Sequence, residues 1–289
     1  MPSFESPRLY IDFARLPPPQ VIEEIDYEVL LAIYKAEVLE KNPALAAALN
    51  LEQSPTNIIL EAEAYGEMIV RERINAAARA SMLPFAKFSD LDVIGARFQC
   101  LRLPNEEDDH FRRRIQVSME TYTTAGAHGA YIYHAMSVSP TIRDVSAVAE
   151  RGTGRVRITI MANGNNPVPS SAVVDAVYDK LMSDAIKPLT DDISVVPVTK
   201  IATDIVANVT LYPGPDQSLV LADVNKALTN LRNRIALIGR DLKRSAVLAA
   251  LTQEGVQNVE TEFQDIDVGT SACVWINSAS VNVLTARQE

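Results

Sequence analysis

The hydrophobic period of this chain changes part-way along. Up to about residue 137 the apolar residues recur at spacings of three and four, and from about residue 138 they begin to alternate. The first pattern puts apolar side chains on one face of a helix, and the second puts them on one face of a strand. A chain that does both in sequence, without interleaving, is an α+β protein. The expected architecture is an N-terminal helical region followed by two successive small α+β (strand–helix–strand) domains.

In the helical region, Ile22, Ile25, Val29 and Ile33, widened by Leu30 and Tyr34, predict a helix over residues 20–41. Pro17-Pro18-Pro19 prevents an earlier start, and Asn42-Pro43 ends it. Residues 55–80 form a second, longer helix. Ser54 or Thr56 is its cap and Pro55 suits its first turn. Its stripe is Ile58, Ala62, Tyr65, Ile69 and Ala76, with Glu61, Glu67, Arg71, Glu72 and Arg73 over much of the remainder. A two-helix hairpin cannot bury both stripes fully, so they need either the rest of the chain or a partner protein. Ile22, Ile25, Val29, Ile33, Ile58, Ala62, Tyr65 and Ile69 are therefore the candidate partner or bundle interface, with an ordinary intrachain helix pair as the equal alternative.

Residues 89–148 join the two patterns. Leu103-Pro104-Asn105 opens a short helix, with Asn105 as N-cap and Asp108 completing an approximate capping box. Glu106, Glu107, Asp108 and Asp109 then lie in the first turn, where the helix dipole favours negative charge. Arg112 and Arg113 follow Asp108 and Asp109 at a spacing of four, and Phe111 and Ile115 point to the core. Such ion pairs contribute only ~0.2–0.5 kcal/mol each. Arg112, Arg113 and Arg114 could form a basic patch, but one solvated helix face explains them as well. A Gly/Ala/Tyr/His segment at 125–135 and an extended apolar run complete the stretch.

Beyond it, Val156, Ile158 and Ile160 alternate with Arg157, Thr159 and Met161, as in a strand with one buried face. Gly152-Thr-Gly154 before it reads as a hairpin turn. Residues 169–185 are a helix with Val173, Val177 and Leu181 on one face, and Ile193 to Val198 is a strand. The pattern recurs. Ile205, Ala207, Val209 and Leu211 alternate, Tyr212-Pro213-Gly214-Pro215-Asp216 turns the chain, and Val220, Val224, Leu228, Leu231 and Ile235 mark a helix. A shorter helix at about 243–253 and strands near 256–263 and 272–277 follow.

No catalytic constellation emerges. The three histidines, His110, His128 and His134, have no common zinc spacing, and Cys100 and Cys273 lie far apart among apolar neighbours as buried thiols. Ser137 and Ser139 lie near His134 but without a nucleophile elbow. Asp191-Asp192 belongs to a turn, and Asp265 with Asp267 is the other acidic pair. There is no Walker loop, dinucleotide fingerprint or calcium loop. No cofactor and no metal site are expected. A net charge of −10 disfavours nucleic acid as a partner. No apolar run reaches the roughly 18–20 residues of a membrane span, and the N-terminus lacks a secretion signal. Two other function classes stay open: a small-ligand regulatory module, which needs a concave pocket with convergent polar groups, and a hydrolase using His128 or His134.

Several motifs in order resemble the baseplate J protein family of contractile-tailed bacteriophages and related injection systems. They are Asp90-Leu-Asp-Val-Ile-Gly95-Ala-Arg97-Phe, then Arg102-Leu-Pro104-Asn-Glu-Glu-Asp-Asp-His-Phe111-Arg112-Arg-Arg-Ile115. Ala125-Gly126-Ala-His-Gly-Ala-Tyr131-Ile-Tyr133-His-Ala135 and Ser139-Pro-Thr-Ile-Arg143-Asp144-Val145 follow. Pro188-Leu189-Thr190-Asp191 and Leu211-Tyr212-Pro213-Gly214 complete the set. Two departures are Asn105, where glycine is commoner, and His110, where an acid is. The resemblance implies a non-enzymatic wedge component of a virion tail baseplate, assembled in the host cytoplasm. It implies a ring of copies of the chain around the central hub and spike. The implied partners are other wedge proteins, including a small lysozyme-like wedge subunit and the tail-formation protein that links to fibres. On this reading residues 1–84 are the N-terminal helical bundle region and 85–137 a helical connector carrying family motifs. Residues 138–200 and 201–289 are the first and second α+β domains, which correspond to ring-forming contacts.

Overall fold

The computed structural model describes residues 11, 13, 16, 17, 19–122, 128–150, 152–184, 186–214 and 216–285. The first ten residues of the lead-in, Pro18, and residues 125–127 of the Gly/Ala/Tyr/His segment lie outside the described residues. Contacts divide the chain into two units, residues 11–101 and residues from 102 onward.

The first unit is helical: α1 Tyr27–Lys41, α2 Ala46–Leu49, α3 Pro55–Ala80 and α4 Phe88–Arg97. α3 runs as the sequence predicts, with Ser54 Oγ accepting from Asn57 N at 3.1 Å and Pro55 at the first position. α1 starts later than predicted. Asp26 caps it, its Oδ1 accepting from Glu28 N at 2.8 Å and Val29 N at 3.4 Å. The residues before it are held out of the helix by α3. The buried Asn75 side chain receives Glu23 N at 3.1 Å and donates to Glu23 O at 2.9 Å, mimicking a backbone partner. Ile22 and Ile25 flank this contact and are half-buried. Leu30, Leu31 and Ala64 form the buried α1–α3 contact, with Ile25, Tyr27, Tyr34, Leu60 and Met68 packed around it. Tyr34 also donates to Glu67, which pushes its hydroxyl pKa up to about 12.

The second unit opens with α5 Asp108–Ser118 and α6 His128–Met136. Two mixed three-stranded sheets follow. The first is β1 Ile142–Ala149, β2 Arg155–Ala162 and β3 Asp192–Pro197, in the order β1-β2-β3. β1 and β2 are antiparallel around the predicted turn, where Gly152 and Gly154 take φ of 77° and 71°. At Gly154 a Cβ would also meet Thr190 O at 2.8 Å, so only glycine fits. β2 and β3 are parallel and so need a crossover, supplied by α7 Ser171–Leu181. Tyr131, Ile132, Ala135 and Met136 of α6 pack with Val177 and Leu181 of α7 on the inner face of this sheet, over Ile142, Val145, Ile158, Ile160 and Ile193.

The second sheet is β4 Thr199–Leu211, β5 Val256–Glu260 and β6 Ala272–Thr285, in the order β5-β4-β6. α8 Gln217–Ile235 and α9 Arg244–Leu251 cover it, burying Ile205, Ala207, Val209 and Leu211 against Val220, Val224, Leu228, Leu231, Val247 and Leu251. β4 starts six residues earlier than the alternation suggests. Its extra residues pair with β6 from Thr199↔Ala272 onward. Only Val198 separates β3 from β4, so one extended segment serves both sheets.

One expectation fails on β2. Thr159 and Met161 are as buried as Ile158 and Ile160, so the strand is covered on both faces. Met161 packs with Val198, Ala236, Cys273 and Trp275, which belong to or adjoin the second sheet. Alternation predicted one buried face because it reads a sheet in isolation, and here the second α+β part lies across the outer face.

Candidate assembly interface

The helical stripes divide into two sets. Val29, Ile33, Ile58, Tyr65 and Ile69 are each at least half exposed, and Ala62 is exposed too. Leu30, Leu31, Tyr34 and Ala64, one position round, make the α1–α3 contact instead. Ile59, Val70 and Ile74 of α3, which the stripe reading missed, are also exposed and form a second row. Their signal in the sequence was an apolar pattern wider than one seam needs. Glu67 and Arg71 do not share that surface. They pair with each other at 2.6 Å, and Arg71 reaches Glu23 at 3.0 Å.

The charges of the α5 region are arranged differently from the sequence reading. α5 begins at Asp108, and its N-cap residue is Glu107, without a side-chain cap bond. Asn105 sits before the helix in a left-handed turn, φ 57°. That conformation is cheapest for glycine and is tolerated by asparagine. The turn sends Glu106 inward. Its carboxylate accepts from Leu103 N at 2.7 Å and, through both oxygens, from Arg114 Nη1 at 2.7 and 3.0 Å, and it also contacts His110 Nδ1. Arg114 is 3% exposed, so it is no part of a surface patch. Burial pushes the Glu106 pKa up, but the bonds from His110, Leu103 N and Arg114 outweigh it and the net shift is downward. Arg102 stacks on Phe111 at 4.6 Å and pairs with Asp108 at 2.8 Å. Of the predicted helical ion pairs, Arg112 binds Asp109 at 2.6 Å, three residues away, whereas Arg113 donates to Arg143 O at 3.1 Å.

Arg143 and Asp144, on β1, tie the two α+β parts together. Arg143 donates through Nε to Ala236 O at 2.8 Å and through Nη2 to Asn233 O at 3.0 Å, capping the C-terminal end of α8. A cation there meets the negative end of the helix dipole. The buried Asp144 carboxylate accepts from Ile238 N at 2.9 Å just beyond. Desolvation raises the Asp144 pKa. The folded state therefore holds a proton more readily than the unfolded chain, and this group contributes less stability as pH rises through its folded pKa. Asp144→Asn is expected to remove that slope: between the ordinary aspartate pKa and the raised one, thermal stability of the variant should change less with pH than that of the parent. Parallel melting curves across that window would refute the assignment.

The remaining candidates have structural roles. Cys100 and Cys273 are buried and are not joined in a disulfide. Asp191 accepts from the buried Tyr131 hydroxyl at 2.6 Å, beside the turn that its amide closes onto Pro188 O. Asp265 accepts from Arg244 N at 2.8 Å at the start of α9, and Asp267 pairs with Lys243. His128 and His134 lie half-buried on α6, where burial lowers both pKa values. Ser137 Oγ is engaged with Tyr133 O at 2.7 Å and receives Arg114 Nε at 3.2 Å. Among the described residues no group of three His, Cys, Asp or Glu could hold a metal, and no helix is long and apolar enough to cross a membrane. A groove between the end of α3 and α4 is lined chiefly by Ala76, Ala77, Ala80, Val93 and Ile94, with Arg73, Asp90 and Arg97. It lacks the convergent polar set that a small-ligand site requires.

A family model described as the Baseplate J-like N-terminal domain matches residues 52–109, and one described as the Baseplate J-like central domain matches residues 123–197. The chain is 37% identical over 270 residues to baseplate protein J of Escherichia phage P2, covering 86% of this chain and 89% of that protein. The first match spans α3, α4 and the Asn105 turn, and the second spans α6 and the first sheet. This chain belongs to the baseplate J family, the structural, non-enzymatic proteins of contractile phage tail baseplates.

Proposed function

We propose that the chain works as a wedge component of the baseplate, joining other baseplate proteins through its helical region and neighbouring copies of itself through its α+β parts. The ring so formed surrounds the central hub and spike. A small lysozyme-like wedge subunit and the tail-formation protein that links to fibres are the proposed wedge partners. The observation that carries this reading is the exposed stripe of Val29, Ile33, Ile58, Ala62, Tyr65 and Ile69, which points away from the α1–α3 contact. Apolar surface on long helices is costly in water, and a further helix laid along it would bury it. Ile22 and Ile25 lie at the start of the same region and are already half-buried. The domain limits at residues 84/85, 137/138 and 200/201 belong to the same proposal.

The test is Ile58→Glu with Ile69→Glu. Both positions are exposed, so the purified variant should keep the parent's circular-dichroism spectrum and melting temperature. Two unpaired charges in a helix bundle should raise the dissociation constant for the wedge partners at least ~100-fold. Normal particle assembly with the variant chain would refute the bundle.

A further inference from the structure

Cations from α5, β1, β4, α8 and the loop after α8 meet where the first α+β part joins the second. Arg143 of β1 donates to Ala236 O and Asn233 O at the end of α8, and Arg113 of α5 donates to Arg143 O at 3.1 Å. Arg232 and Arg234 belong to the last turn of α8, and Arg240 of the following loop donates to Arg234 O at 2.9 Å. Arg232 and Lys200 of β4 lie over the Trp275 ring, at 5.8 and 5.9 Å from its centre. Burial lowers the Arg143 pKa, and the nearby Arg113 and Arg232 lower it further, so these guanidinium groups share one field.

This patch is short of countercharge. Among the described residues Arg113, Arg143, Lys200, Arg232 and Arg234 form no ion pair. The nearby acids are engaged elsewhere. Asp144 is buried and turned in to Ile238 N, Asp109 is bonded to Arg112, and Asp241 accepts from Val268 N at 2.8 Å. Lys200, Arg232 and Arg234 are exposed, and Arg113, Arg143 and Arg240 are half-buried. The negative end of α8 is equivalent to only about half an elementary charge, which does not offset this many cations. In a chain of net charge −10, the patch is the reverse of the whole.

We propose that Arg113, Lys200, Arg232, Arg234 and Arg240, set around Arg143, dock an acidic segment of another baseplate protein. The proposal rests on the reading that the chain joins other baseplate proteins, and it adds a contact distinct from the helical stripe. Charge complementarity selects the occupant, since carboxylates laid against unpaired cations steer the encounter and fix the register. A second copy fits poorly. Two copies of net charge −10 repel, and this chain's own Asp265 and Asp267 are already paired with Lys243. Nucleic acid fits poorly too. Trp275 is 6% exposed beneath Lys200 and Arg232, so it offers no face on which a base could stack. A small anion would reach only some of these cations, which come from separate elements, whereas a run of carboxylates along one chain can meet them in turn.

The experiment titrates the full chain with a fluorescein-labelled polyglutamate peptide, read by anisotropy and by the emission of Trp275, the single tryptophan. The parent should bind with an affinity that falls as salt is raised. Trp275 emission should change on binding, because Lys200 and Arg232 lie over its ring. Arg232→Glu with Arg234→Glu should raise the dissociation constant roughly tenfold or more. Both side chains are exposed, so the circular-dichroism spectrum should match the parent's. If that variant fails to fold, Lys200→Glu, at an exposed position of β4, should weaken binding several-fold. A parent that does not bind, or a folded variant that binds as the parent does, overturns the proposal. So does single-stranded DNA that binds as tightly as the peptide, or inorganic phosphate that displaces the peptide at equal charge concentration. A parent dimer in sedimentation that the charge reversal breaks would make the occupant a second copy and also overturns it. The Ile58→Glu, Ile69→Glu chain should bind the peptide as the parent does, so failure of the patch and failure of the helix bundle give different results.

Discussion

Arg114→Met should lower the unfolding free energy of the second unit by about 3–5 kcal/mol, because it leaves the Glu106 carboxylate buried without its main countercharge. Glu106 has no exposed side-chain surface and Arg114 has 3%. The pair is closed by two bonds at 2.7 and 3.0 Å, and the guanidinium also lies 5.7 Å from the Tyr133 ring. A methionine of similar reach restores none of this. Denaturant unfolding followed through Trp275 measures the loss. The double variant Glu106→Leu, Arg114→Met should regain much of it, since the expense lies in the stranded charge more than in the absent pair. A loss under about 1 kcal/mol for the single variant would mean that the carboxylate finds water, and the cluster would not hold α5 in place. The pH dependence follows from the direction of the Glu106 shift. Its folded pKa is lowered, so the pair contributes its full stability above the ordinary glutamate pKa and loses it as pH falls through the folded value. Arg114→Met should therefore also weaken the acid sensitivity of the parent.

Arg143→Ala should cost about 2–3 kcal/mol, the loss of two charge-assisted bonds to carbonyls at the end of α8. Those bonds run from β1 of the first sheet to Ala236 O and Asn233 O, beside the cluster of Met161, Val198, Ala236, Cys273 and Trp275. Trp275 is thus in position to report the damage. The expected result is a lower midpoint together with a change in the native-state emission, which a purely local loss on β1 would not cause. Arg143→Lys should recover only part, because one ammonium cannot reach both carbonyls with a planar fork. If alanine at 143 leaves both midpoint and emission unchanged, the two α+β parts are held by their apolar contact alone.

Much of the architecture was legible because strong local signals agree with tertiary packing. α3 is predicted to the residue, since Ser54, Pro55 and a long apolar stripe all mark the same helix. The Gly152/Gly154 hairpin and the α8 stripe, with Val220, Val224, Leu228, Leu231 and Ile235 all buried, are similar cases. α4 and α6 fall inside the stretch read as a helical connector, without bounds of their own. α4 is only ten residues long and shows just Leu91 and Ile94 as large buried apolar residues, and the α6 sequence is diluted by Gly129 and small residues. Their packing against other elements, not their propensity, makes them helical.

The exposed stripes were legible in kind but not in detail. That apolar stripes on α1 and α3 exceed what one helix pair can bury follows from counting them. Which residues are left over does not. Asn75 reaches across to Glu23 and keeps Ile22 and Ile25 out of α1, an effect over a separation of 52 residues that no local pattern encodes. The acids and arginines of residues 106–114 read as a helix start with surface ion pairs. A single left-handed residue, Asn105, moves Glu106 off the helix and into the core, where Arg114 must follow it.

By itself the sequence determined the succession from a helical region to two α+β repeats, the α+β class and the ordered motifs of the baseplate J family, because periodicity, caps and turn residues act over a few residues. Only the tertiary structure decided which apolar faces stay exposed and which charges are buried in pairs. It also decided that the outer face of β2 is closed by a distant part of the chain. Those outcomes depend on what arrives from far away in sequence to cover a surface, and a local pattern carries no record of that.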